Sequence, residues 1–132
     1  MTAVRVVSPR KRLDRVEFSG KREWQNHAIE VGEYTCPHCG HRVRLRTSDF
    51  ARHEFDPSAN AREPWQALFD AVRPDRRDAW ESHLDFHCPG CNAPVRLVYE
   101  PGEEYAMGVH SWQVGAILEA ARWPTDDSSG QG

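Results

Sequence analysis

The chain has 132 residues, 39% hydrophobic and 28% charged, with a net charge of −3 and a mean hydropathy of −0.75. That leaves room for one ordinary domain with a modest core, and five Trp, five Phe and three Tyr exclude wholesale disorder. No run approaches the roughly 18 apolar residues of a membrane span, and Met1–Pro9 lacks the apolar core of a signal peptide, so a cytoplasmic protein without membrane attachment is expected.

In chain order, Val4–Val7 and Arg15–Phe18 read as short strands, with Ser19-Gly20 as a turn. His27–Tyr34 alternates, placing Ile29 and Val31 on one face of a half-buried strand. Between Glu63 and Val72, residues Trp65, Leu68, Phe69 and Val72 recur at helical spacing, with Pro64 in the first turn. A second short helix is predicted at about Asp75–Leu84, on a face carrying Ala79, Trp80 and Leu84. Pro94–Glu100 reads as a strand ended by Pro101-Gly102. A final helix is predicted for Trp112–Arg122, with Ser111 as its cap and Val114, Ile117, Leu118 and Ala121 along one side. Residues 125–132 read as a polar, unordered tail.

The four cysteines form two elements, Cys36-Pro-His-Cys39 and Cys88-Pro-Gly-Cys91. Residues 34–45 and 86–97 share the pattern aromatic-x-C-P-x-C-x-x-x-V-R-L at an offset of 52, an internal repeat in which each knuckle feeds a short strand. A two-residue spacer bends the chain so that both sulfurs face one ion, and four thiolates close a structural zinc site with no position left for substrate. Here the sequence resembles the zinc ribbon superfamily, of the four-cysteine type, over residues 34–47 and 86–99. The resemblance implies one structural zinc held by Cys36, Cys39, Cys88 and Cys91. It departs from common ribbons in the 48 residues between Cys39 and Cys88, where about 15–20 is usual. Two other arrangements stay open: a redox CxxC, and two separate sites that recruit His38, His41, His83 or His87. The expected fold is α+β, a zinc-ribbon β-sheet within one domain over residues 1–124, with a two-helix insertion at about 50–85 and a C-terminal helix.

Signatures of catalysis are missing. His53-Glu54 begins H-E-x-x-H, but residue 57 is proline. No H-x-E precedes a P-C-x-x-C, and no phosphate-binding glycine loop or G-x-S-x-G is present. An enzyme working in the Glu100–His110 loop is kept as a third class. Residues 1–46 carry ten Lys/Arg against five Asp/Glu, and residues 47–132 carry seven against fifteen. The acidic part suits a protein partner, and the expected function is a non-catalytic, zinc-stabilised protein-binding module, in one version an inhibitor or immunity protein. Asp70, Asp75, Asp78 and Glu81 are its candidate outward face. The alternative is nucleic-acid binding through the basic N-terminal third, with Arg10–Arg12, Arg15, Lys21, Arg22, Arg42, Arg44, Arg46 and Arg96 on phosphates and Trp24 or Tyr34 stacking a base.

Overall fold

The computed structural model describes residues 3–21, 30–46, 49–50, 60–72, 82–104 and 109–123. In chain order these form β1 (Val4–Val7), a 3-10 turn (Pro9–Lys11), β2 (Glu17–Lys21), β3 (Glu30–Thr35), β4 (Arg42–Arg46), α1 (Trp65–Val72), β5 (Ser82–His87), β6 (Pro94–Glu104) and β7 (Val109–Ala120). A larger antiparallel sheet runs β5-β6-β7, and β1 and β2 lie end to end along the far edge of β7. β3 and β4 make a separate hairpin.

The hairpin covers one face of the larger sheet and α1 covers the other. Between hairpin and sheet, Leu13, Val31, Tyr34, Leu45, Phe50, Leu97, Tyr99, Trp112 and Ile117 form the main core. Phe50 lies at its centre, stacked on Trp112 at 5.0 Å and edge-on to Tyr99 at 5.1 Å. On the opposite face Phe69 is fully buried against Val4, Val98, Ala116 and Leu118, with Trp65, Leu68 and Val72 half-buried around it. The helical stripe read from the sequence is therefore present, and it packs on the outer face of the sheet.

The predicted α+β architecture is corrected by this fold, which is mostly antiparallel sheet with a single helix among the described residues. The C-terminal segment is the central strand β7. Its register shifts at Gly115, since Val98 faces Ala116 while Tyr99 faces Val114. Before this bulge Trp112 and Val114 point to the hairpin; after it Ile117 does, while Ala116 and Leu118 point to α1. The phase shift and burial on both faces turn a strand pattern into an i, i+3, i+4 pattern that mimics a helix. The two-helix insertion is not seen either: Ser82–Leu84 belong to β5, and residues 75–81 of the predicted second helix lie outside those described. β6 also runs through Pro101-Gly102. There Pro101 and Gly102 stay in register with Trp112 and Ser111 of β7, so the strand continues past its predicted end.

Gly32 marks the tightest contact between hairpin and sheet. A Cβ at this position would lie 2.2 Å from Phe18 Cε1, and Phe18 is itself buried beside Phe50 at 5.8 Å. Gly32→Ala is expected to destabilise the protein by about 1–3 kcal/mol through overpacking, read as a lower urea midpoint with an unchanged m-value.

Candidate metal centre

Each cysteine pair sits in the turn of an antiparallel hairpin, Cys36–Cys39 between β3 and β4, Cys88–Cys91 between β5 and β6. The two turns are built alike. The Cys36 N–H donates to His41 O and Gly40 N–H to Cys36 O, both at 2.9 Å; the Cys88 N–H donates to Ala93 O at 2.9 Å and Asn92 N–H to Cys88 O at 2.6 Å. Gly40 and Asn92, 52 residues apart, take positive φ of 77° and 65°, a conformation open to glycine and tolerated by asparagine. The repeated aromatics two residues before each knuckle, Tyr34 and Phe86, meet edge to face at 5.4 Å. The sequence repeat is thus a structural repeat, its copies packed against each other.

This packing brings the four sulfurs together. Cys36 Sγ is 3.7 Å from Cys91 Sγ, Cys39 Sγ is 3.5 Å from Cys88 Sγ, and all four lie within 4.8 Å of one another. Disulfide bonding needs about 2.05 Å, and all four cysteines are free. One tetrahedral ion with metal–sulfur bonds of about 2.3 Å would hold its sulfurs roughly 3.8 Å apart. The cage therefore fits a single metal ion, which Cys36, Cys39, Cys88 and Cys91 are positioned to bind. Gly90 is needed for the fit, because a Cβ there would lie 2.9 Å from Cys39 Sγ and 3.1 Å from His41 Cβ. The Gly90 N–H points at Cys88 Sγ, 3.3 Å away. Burial pushes the Cys36 and Cys91 thiols up; at Cys39 burial also raises the thiol, but the His41 backbone N–H and the three neighbouring sulfurs together outweigh it, and the thiol falls below the ordinary value.

None of the histidines held in reserve as ligands joins this cluster among the described residues. His38 is buried and its Nε2 donates to Ala120 O at 3.1 Å, tying the first knuckle to the end of β7. His83 Nε2 lies 3.0 Å from Asn60 Oδ1, and burial, with Arg62 nearby, lowers the His87 pKa. His41 is exposed; His27 and His53 lie outside the described residues. His38→Ala should leave the metal stoichiometry unchanged and cost about 1 kcal/mol for the lost hydrogen bond, checked by elemental analysis and urea titration.

Two groups around the cage escaped the sequence. Beneath the first knuckle Glu119, 1% exposed, accepts from Tyr34 OH, from Arg12 Nε at 2.8 Å and from Arg5 Nη2 at 3.5 Å. Burial and the adjacent carboxylate hold the Tyr34 phenol protonated far above its ordinary range. This cluster anchors β3 to the central strand. Beside the second knuckle, Trp123 Nε1 donates to Cys91 O at 2.7 Å and its ring meets Trp65 of α1 at 5.9 Å. No local sequence signal marks either group, because their members are brought together only by the fold.

The candidate binding faces fare differently. Arg96, placed on the basic face by sequence, is 4% exposed and grips Asp85 with two hydrogen bonds of 2.7 and 2.9 Å. Asp70, placed on the outward acidic face, bonds Arg96 Nη1 at 2.5 Å while its side chain stays half-exposed. Arg10, Lys11, Arg15, Arg42, Arg44 and Arg46 are exposed; Arg22, Trp24, Asp75, Asp78 and Glu81 lie outside the described residues. No described helix is long and apolar enough to cross a membrane. Compared with known protein families, with curated proteins and with solved structures, the chain matches none.

Proposed function

We propose that the chain is a non-catalytic binding protein of zinc-ribbon type, stabilised by one structural zinc and directed at a protein partner. The observation that carries this reading is the closed donor set. Four soft thiolates from two equivalent knuckles surround one point, which favours zinc and leaves no open coordination position for a substrate. The metal would then serve as a clamp between two hairpins, and a clamped β-scaffold without catalytic motifs is suited to presenting a surface. A protein partner is favoured over nucleic acid because two arginines of the basic set are spent internally, Arg12 on Glu119 and Arg96 on Asp85. Glu30, Glu33 and Asp49 also lie beside Arg44 and Arg46: Arg44 Nε is 3.8 Å from Glu30, Glu33 is its register partner, and the Arg46 N–H donates to Asp49. An inhibitor or immunity protein is the version that the small acidic chain fits.

Fluorescence anisotropy on labelled single- and double-stranded oligonucleotides, read from low to physiological salt, tests the choice. Weak or absent binding at physiological salt is expected, together with one stoichiometric protein partner on affinity purification from the native host. Tight, steeply salt-dependent nucleic-acid binding without a protein partner would replace this reading by its alternative.

A further inference from the structure

The four sulfurs are alike in chemistry and unequal in access. Cys36 and Cys88 are each 1% exposed and Cys91 is half-buried, whereas Cys39 stands exposed at the surface. The exposed sulfur is also 3.5 Å from the buried Cys88 Sγ, on the other knuckle. The missing Cβ of Gly90 leaves room for that approach. A thiolate cage that shows one sulfur to solvent has a defined point of attack for an oxidant.

We propose that Cys39 is an oxidative modification site, at which a peroxide replaces the metal cage by a Cys39–Cys88 disulfide between the two knuckles. The inference rests on the zinc reading above. In the first step the Cys39 thiolate attacks one oxygen of hydrogen peroxide; the O–O bond breaks, a sulfenic acid forms and hydroxide leaves. In the second step the Cys88 thiolate attacks the Cys39 sulfur; the S–S bond forms, the S–O bond breaks and a second hydroxide leaves. Two thiolates give up two electrons, peroxide accepts them, and two protons from solvent convert both hydroxides to water. Only Cys36 and Cys91 then remain as thiols, too few to retain zinc, which is lost to solvent. Since the new bond joins the same two hairpins that the metal joined, oxidation exchanges one clamp for another. This distinguishes the site from a cage whose oxidation simply opens the fold.

The test uses the full chain, with zinc content measured first by elemental analysis. The zinc-loaded protein is then treated with hydrogen peroxide beside a chromogenic zinc chelator, and disulfides are mapped by peptide mass spectrometry at partial oxidation. The expected result is release of one zinc per chain in step with a first disulfide between Cys39 and Cys88. Dithiothreitol with added zinc should restore the starting form. The oxidised, zinc-free chain should melt well above the reduced, zinc-free chain. Substoichiometric iodoacetamide should label Cys39 at least about fivefold more than any other cysteine. A first disulfide within either knuckle, zinc retained against a tenfold excess of peroxide, or preferred labelling elsewhere would overturn the proposal. A chain that holds no zinc before oxidant is added overturns the metal reading, and the proposal with it.

Discussion

Cys88→Ser is expected to abolish stoichiometric zinc binding and to lower the melting temperature in the same variant. The wild-type chain should hold one zinc, measured by elemental analysis after purification without chelator. Cys88 is one of the two buried ligands: it is 1% exposed, belongs to the main core and receives the Gly90 N–H on its sulfur. The serine oxygen is a poorer, harder ligand, and three thiolates do not close the tetrahedron. The loss should be about 3–5 kcal/mol, since structural zinc contributes its binding energy to folding, and for a chain of this length that corresponds to roughly 10–20 °C. Collapse to a wholly unfolded chain is not expected. The hairpin keeps independent attachments to the sheet, through the Tyr34–Glu119–Arg12 cluster, the Leu13–Tyr34 bridge and the core around Phe50. Unchanged melting with metal lost, or one ion still bound to the variant, would show that the four cysteines do not form the clamp.

The cage was legible in the sequence because its signal is local and doubled. Each knuckle carries its sulfurs two residues apart, and the offset of 52 aligns the aromatic, proline, valine, arginine and leucine positions around them. In the fold the aromatic and leucine positions keep equivalent roles, Tyr34 against Phe86 and Leu45 with Leu97 in one core, and Gly40 and Asn92 hold the same left-handed turn position. Helix α1 was legible for the same reason, as a helical stripe uninterrupted over two turns. The histidines were ambiguous because proximity in sequence to a cysteine says nothing of direction; His38 points away from the cage to Ala120 O.

What failed to show was everything set by long-range pairing. Glu119 meets Arg12 across 107 residues and Tyr34 across 85, and a lone glutamate in an apolar run announces neither partner. The largest error, β7 as a helix, has a definite cause. A strand buried on one face reads as simple alternation, but β7 is buried on both faces and slips phase at Gly115. Strand β5, beyond β6, carries a simpler pattern, since Leu84 and Phe86 face the hairpin while His83 and Asp85 face the other way. There Ala79, Trp80 and Leu84, at helical spacing, outweighed a strand pattern only six residues long.

The repeat also supplies the second large expected effect, because it places an acid opposite an arginine twice. Glu33 pairs in register with Arg44 in the first hairpin, and Asp85 with Arg96 in the second. The first pair faces solvent; the second is covered by α1, with Asp85 side chain at 0% and Arg96 at 4% exposure. Burial alone would weaken the charge on Arg96, but Asp85 and Asp70 outweigh it and keep the guanidinium protonated. Asp85 also accepts the Ala61 N–H at 2.7 Å, and Arg96 lies over the Phe69 ring at 5.4 Å, so one ion pair fixes both the approach to α1 and α1 itself. Asp85→Ala removes the buried partner of Arg96, leaving the half-exposed Asp70 to balance its charge, and takes the acceptor from the Ala61 N–H, and should cost about 2–4 kcal/mol. Glu33→Ala, at the equivalent, half-buried position beside the exposed Arg44, should cost less than about 1 kcal/mol. The double variant Asp85→Leu, Arg96→Met should recover part of the loss, because no buried charge remains, while the Ala61 N–H still lacks its acceptor. Urea midpoints of the four proteins decide the matter. Equal losses for Asp85→Ala and Glu33→Ala would mean that water reaches the second pair as freely as the first, and that α1 does not seal it.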